Sequence, residues 1–362
     1  MCVIIAKKSK LENSQTEKWF LTKVRDRDYD PTYHLEVKKK NGIEALFFLD
    51  QDSGWREGVN SKGICIVGAA LANKADSENN GSQERSKKSQ KRTEDDHKLL
   101  EKSMMQSTPK DAARVLREGF FQGTNFITDG DTLIVQEIYL NQEFQDQATL
   151  DYIEEHGEDA YEELSGTEQL DVIFDAAKPE NYDIAENVVK KDILVVRTNI
   201  AQILDDAGYQ KEEGEDNSNY FSSVKRYNYT MKALEKLTID SHPFDTLTIV
   251  AGLTNVDKEG QYNPIRRKEE KPKEDQTPGH KYKYYSSSIV MLSPASTIFV
   301  VPVLAEIDDS SRLALKSERE CDFVILPKKL HMFESSTAKS GFRKFTQTKS
   351  QLHNQLQENL WN

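Results

Sequence analysis

Cysteine is scarce in this chain: of 362 residues only Cys2, Cys65 and Cys321 carry a thiol. An odd number, widely separated, with no CxxC pair and no Cys/His cluster, excludes a disulfide scaffold and offers no zinc site. Long apolar runs are also missing. None approaches the ~20 residues that cross a bilayer, and the opening residues lack a basic stretch followed by a long apolar one. The expectation is a soluble, cytoplasmic protein with no membrane span. Basic charge is in deficit, with 49 Lys and Arg against 61 Asp and Glu and a formal net charge of -12, which argues against nucleic acid as a partner. Phosphate-cradling motifs are absent, since Gly119 and Gly123 are not spaced as a nucleotide loop, so neither a cofactor nor a metal is expected. Ser222-Ser223 lies in no G-x-S-x-G elbow. His242 and His280 sit in polar, turn-like contexts that suit surface residues better than bases.

What is there is long enough for a large core, but polar: 36% hydrophobic and 30% charged residues, with a mean hydropathy of -0.72. Part of the length should therefore be solvated insertion. Short strands are expected at Cys2–Ala6, around Phe20–Val24, at Leu46–Leu49 and at Ile64–Leu71, the last after the turn Asn60-Ser61-Lys62-Gly63. From Lys74 to His97 almost no apolar residue occurs, which reads as a flexible insertion. A helix covers at least the second half of Leu99–Leu116, started by Ser107-Thr108-Pro109. Two runs flanking Asp129-Gly130-Asp131 give a hairpin. Residues Gln142–Glu186 are acidic and helix-prone, and a buried strand at Ile193–Val196 leads into Arg197-Thr198-Asn199. Further on, the pattern predicts a helix at Tyr227–Leu237, a strand at Leu247–Leu253, a charged loop at Lys258–His280, and strands at Tyr284–Leu292, Thr297–Val303 and Cys321–Leu326. Strands at both ends with helices between them indicate an α+β layered domain.

The residue that carries chemistry is Cys2. If Met1 is trimmed, Cys2 presents a thiol and a free α-amine on one carbon, a nucleophile and a base in one residue. An α-amine titrates near ~7.7–8.0 and a thiol near ~8.5, so the amine can relay the thiol's proton at neutral pH. Taken alone, Cys2 reads better as a small buried apolar residue opening a strand. The charge alternation Arg25-Asp26-Arg27-Asp28 follows the second strand, and by itself suits a solvated hairpin end.

Taken together, the N-terminal Met-Cys strand and the Arg25-x-x-Asp28 step resemble the opening of the choloylglycine hydrolase and penicillin V acylase family of N-terminal-nucleophile (Ntn) hydrolases, a group that includes acid-ceramidase-like amidases and penicillin acyltransferases. The segments 59–66, 125–137, Val196-Arg197-Thr198-Asn199 and Phe221-Ser222-Ser223-Val224-Lys225-Arg226-Tyr227 are similar to its later landmarks, in the same order. The resemblance implies a four-layer αββα sandwich of two antiparallel sheets between helices over residues 1–305. Polar insertions fall near 74–97 and 258–280, and residues 306–362 form an extension of unknown role. It further implies a catalytic set of Cys2, Arg25, Asp28, Asn199 and Arg226: Asp28 orients the α-amine, Asn199 donates to the oxyanion, and Arg25 and Arg226 favour the thiolate. The repeat leaves a second register open, with Arg27 and Asp26 in those roles. One departure stands out: the stretch aligned with a further oxyanion Asn is Gly68-Ala69-Ala70-Leu71, with Asn73 the nearest amide.

The activity implied is cleavage of a linear, non-peptide carbon–nitrogen bond in a small-molecule amide through an acyl-thioester. The variants are an acyltransferase using the same thioester and an inactive binding or structural protein that keeps the fold. A glutamine amidotransferase also begins Met-Cys, but continues Gly-Ile where Val3-Ile4 stands here. The oligomeric state is open, a homo-oligomer included.

Overall fold

The computed structural model describes residues 2–10, 16–27, 33–50, 54–71, 87–204, 207–208, 211, 218–253, 268–270, 282–284, 286–294, 297–303 and 324–325. The elements are, in chain order, β1 (Cys2–Lys10), β2 (Glu17–Arg27), β3 (Tyr33–Lys40), β4 (Ile43–Asp50), β5 (Arg56–Asn60), β6 (Cys65–Ala69), α1 (Lys87–Met104), α2 (Pro109–Glu118), β7 (Gly123–Thr128), β8 (Leu133–Leu140), α3 (Gln142–His156), α4 (Glu158–Glu162), α5 (Gly166–Ala176), β9 (Tyr182–Val189), β10 (Leu194–Arg197), α6 (Ser218–Leu234), α7 (Pro243–Leu253), β11 (Lys268–Glu270), β12 (Tyr282–Tyr284), β13 (Ser286–Ser293), β14 (Thr297–Val303) and β15 (Val324–Ile325). Apart from the small β11–β12 pair, the strands form two antiparallel sheets. One has the order β10-β1-β2-β13-β14-β15, the other runs β3 to β9 in sequence order.

Alternation along the strands decides what each face meets. Ile4 and Ala6 of β1, with Trp19 and Leu21 of β2 and Val290 and Leu292 of β13, pack on Leu46, Phe48, Val59, Cys65, Val67, Phe126 and Val135 of the second sheet. The alternate residues Val3, Ile5, Phe20, Val24, Ile289 and Met291 meet Leu234 of α6 and Leu247 and Val250 of α7. On the far side, Phe47, Ile66, Ile127 and Ile134 meet Leu100 and Met104 of α1 and Ala112, Ala113 and Leu116 of α2. The chain is thus a mixed α+β structure in which two antiparallel sheets face one another and helices cover an outer face of each. Buried on both faces, β1 reads as the continuous run Cys2-Val3-Ile4-Ile5-Ala6 and not as an alternation.

Local signals act as expected at two turns and a cap. In the turn after β5, Gly63 has φ of 85°, and Asn60 Oδ1 accepts from the backbone N–H groups of Lys62 and Ile64. Between β7 and β8, Asp129 Oδ1 accepts from Asp131 and Thr132 N–H around Gly130. Thr108 caps α2 by accepting from Asp111 N–H, with Pro109 in the first turn.

Several expectations are corrected. Leu247–Leu253, expected as a strand, is the end of helix α7. His242 N–H donates to Asp245 and starts the helix, and Pro243, Thr246, Leu247 and Val250 are buried at helical spacing despite the β-branched composition. The insertion expected as flexible through His97 is helical from Lys87: α1 is polar over most of its surface, but Arg92 pairs with Asp171 and stacks on the Phe174 ring of α5. The helix-prone block ends in an edge strand, β9, after Lys178-Pro179 breaks the helical run. β3, which the sequence pattern did not suggest, pairs with β4. The helix expected at Tyr227–Leu237 begins earlier, at Ser218, and ends at Leu234. The loop 258–280 lies largely outside the described residues. Within the expected extension, β15 pairs with β14. Among the described residues no helix is long and apolar enough to cross a membrane.

Candidate functional site

The site forms where the inter-sheet layer meets the start of β1. Cys2 is half-buried and packs against the inter-sheet core. The register places Cys2 directly opposite Arg25 on β2, so their side chains share a face. β10 pairs with β1 on its other side, with Ile4 opposite Arg197, and the chain leaving β10 delivers Asn199 to the same end.

Asn199 is the hub. Its Oδ1 accepts from Cys2 N–H at 3.0 Å and from Arg226 Nη1 at 3.2 Å, while its Nδ2 donates to the Ala70 carbonyl at 2.7 Å. Two donors at the oxygen and an acceptor at the nitrogen fix which way the amide points. Ala70 follows β6 directly, so a backbone carbonyl of that segment orients Asn199. Arg226 is buried in α6. Its Nη1 also donates to the Cys2 carbonyl at 2.9 Å, its Nη2 to Ser223 Oγ at 2.8 Å and its Nε to the Ser222 carbonyl at 3.3 Å. The guanidinium therefore ties one helix turn to both the first residue of β1 and the amide after β10.

The loop bearing Asn199 is anchored from the opposite sheet. Glu137 of β8, fully buried, accepts backbone N–H groups from Gln202 at 3.0 Å, Ile203 at 2.8 Å and Leu204 at 3.0 Å. Arg197 Nε lies 3.7 Å from the same carboxylate.

Arg25 lies beside Cys2 in a buried charged group. Arg25 Nη2 is 2.9 Å and Lys23 Nζ 2.6 Å from Oε1 of Glu57 on β5. Both cations also lie over the Trp55 ring, at 5.1 and 5.4 Å from its centroid. Burial, and then the Arg25 charge, push the Lys23 ammonium below its ordinary value.

Of the five residues expected at the site, Cys2, Asn199 and Arg226 are directly hydrogen-bonded together, and Arg25 is the strand neighbour of Cys2. Asp28 lies outside the described residues, as do Asn73, His280, Cys321 and the side chains of Asp26 and Arg27. Lys23, Glu57 and Trp55 were not anticipated, and Ser223 and Glu137, within the landmark segments, were given no place at the site. The signal for Lys23 was available: Trp19, Leu21, Lys23 and Arg25 share one face of β2, so an apolar face that turns cationic toward its end marks a charged pocket. Glu57 alternates with Val59 in the same way on β5. Cys65, in contrast, is fully buried in the inter-sheet layer, its Sγ 3.5 Å from the Gly63 carbonyl, and burial pushes its thiol well above the ordinary value of 9.0.

Among the described residues no three His, Cys, Asp or Glu side chains converge as a metal site requires. A groove of about 1110 Å³ between α3 and α5 is lined by Phe144, Ala148, Tyr152 and Val172 with Asp151 and Glu168 at its walls, and none of the residues gathered around Cys2 borders it. No protein-family model matches the chain, and no curated protein matches it.

Proposed function

We propose that the protein is an N-terminal-nucleophile amidohydrolase that cleaves a linear, non-peptide amide through an acyl-thioester on Cys2. The observation that carries this reading is the convergence of Cys2, Asn199 and Arg226 in direct hydrogen bonds at one end of the inter-sheet layer. The layer order, with Cys2 at the head of a strand buried between the facing sheet and helices α6 and α7, supports the Ntn kinship suggested by the collinear landmarks.

With Met1 removed, the Cys2 amine spends one N–H on Asn199 Oδ1 and keeps its lone pair for the thiol proton. The sulfur attacks the substrate carbonyl, a C–S bond forms, and the thiol proton passes to the amine. Asn199 Nδ2 carries a second hydrogen beyond the one given to Ala70, available to the developing oxyanion. Collapse breaks the C–N bond, and the α-ammonium returns its proton to the departing amine. Water then attacks the thioester, its proton taken by the same amine, and the acid and free thiol are released. Arg226 holds Asn199 and the Cys2 carbonyl in register throughout.

The test combines intact mass with substrate turnover. The expected result is a chain lacking Met1 that hydrolyses at least one member of an N-acyl amide panel, with the acyl-enzyme trapped at Cys2 by acid quench. Retention of Met1 in all of the protein sinks the reading. Product analysis with added amines separates hydrolysis from acyl transfer.

A further inference from the structure

Two buried cations beside a half-buried thiol are unusual enough to need a reason. Lys23 is 2% exposed and Glu57 1% exposed, and an ammonium placed there loses its hydration unless nearby anions offset the loss. Glu57 supplies one, but it lies 2.6 Å from Lys23 and 2.9 Å from Arg25 through a single oxygen. The register sets Lys23 two residues from Arg25 on the face that Cys2 shares, which is diagonal-neighbour range across an antiparallel pair. A thiolate at Cys2 and the Glu57 carboxylate both pull Lys23 back toward its charged form.

Resting on the reading of Cys2 as the nucleophile, we propose that Lys23, held by Glu57, is a positioning residue of this site whose ammonium eases the passage of the Cys2 thiol proton to the α-amine. Among the described residues, the charged groups on the elements packed around Cys2 are Lys23 and Arg25 on β2, Arg197 opposite Ile4 on β10, Glu57 on β5, Glu137 on β8, and Arg226 on α6. Arg197 is matched with Glu137, and Arg226 is engaged by Asn199, Ser223 and the Cys2 carbonyl. Lys23 stands on the thiol's face by register, and burial lowers its hold on its proton. The titrations of Lys23 and Cys2 are therefore coupled, each favouring the charged form of the other.

The experiment is the pH dependence of iodoacetamide labelling at Cys2, followed by peptide mass spectrometry on the full chain, with Cys65 labelling as a control for the intact fold. Native protein should show a midpoint below the ~8.5 of a free thiol, and a midpoint at or above it overturns the proposal. Lys23→Met should raise that midpoint and slow labelling at pH 7 about tenfold, with Lys23→Arg restoring it. An unmoved midpoint in Lys23→Met with Cys65 still protected also overturns it. Should Lys23→Met let label onto Cys65, the comparison moves to Lys23→Gln, and if that also fails the native midpoint decides. No turnover enters these measurements, so a shifted midpoint in a protein that cleaves no amide would retire the hydrolase reading and leave this one standing.

Discussion

Cys2 and Cys65 occupy opposite ends of one layer. Both lie on strands, and both touch the core between the two sheets. Cys65 is enclosed by hydrocarbon with a carbonyl as its sulfur's neighbour, and burial holds its proton on. Cys2 is half-buried, beside Arg25 and within electrostatic reach of Lys23, with its backbone held by Asn199 and Arg226. The same element meets hydrocarbon in one place and charge in the other, according to what the neighbouring strands deliver.

The sharpest way to break this contrast is to exchange the roles by mutation. Under the hydrolase reading, Cys2→Ala should abolish turnover by about 10⁴-fold or more, while Cys65→Ala should leave kcat within about twofold and cost only about 1 kcal/mol for the lost sulfur. Equal losses from both would erase the distinction. Next in size, Asn199→Ala removes the amide at the hub, and steady-state kinetics should show kcat lower by about 10²–10³-fold. A change confined to KM would mean that Asn199 binds substrate without meeting the oxyanion.

Arg226→Met tests the Cys2 end through stability. Two acceptors, the Asn199 oxygen and the Cys2 carbonyl, lose a charged donor, which should lower the unfolding free energy in urea by about 2–4 kcal/mol. A loss under about 0.5 kcal/mol would show the guanidinium to be incidental. The smallest effect belongs to Cys65. Its thiol keeps its proton in the folded chain above pH 9.0 but releases it on unfolding, so the unfolded state binds fewer protons there and stability falls as pH rises. Native protein should lose up to about 1.4 kcal/mol more than Cys65→Ala between about pH 9 and 10. Parallel stability curves for the two would show that the Cys65 end is wetter than its packing implies.

Much of this was legible in the sequence where local rules and burial agree. In the first third, β1, β2, β4 and β6 follow from apolar runs between turn residues while β3 and β5 do not, and the β7–β8 hairpin follows from Asp129-Gly130-Asp131. Cys2, Asn199 and Arg226 could be assembled because they stand beside recognisable short segments. Lys23 and Glu57 could not be paired beforehand, because what makes them partners is sheet-on-sheet packing between β2 and β5. The orientation of the Asn199 amide depends on Ala70, more than a hundred residues away in sequence. α7 was misread because its β-branched residues favour a strand locally, while the helical spacing of its buried positions is imposed by the sheet beneath it.

Glu137 rises from one sheet, yet the three N–H groups it gathers belong to a segment leaving the other. The carboxylate acts as a rivet through the sandwich, so any sliding of one sheet over the other is transmitted to the Asn199 amide three residues upstream. Under the hydrolase reading, substitutions that loosen the middle of the layer, such as at Phe126 or Val135, should lower kcat before they melt the protein.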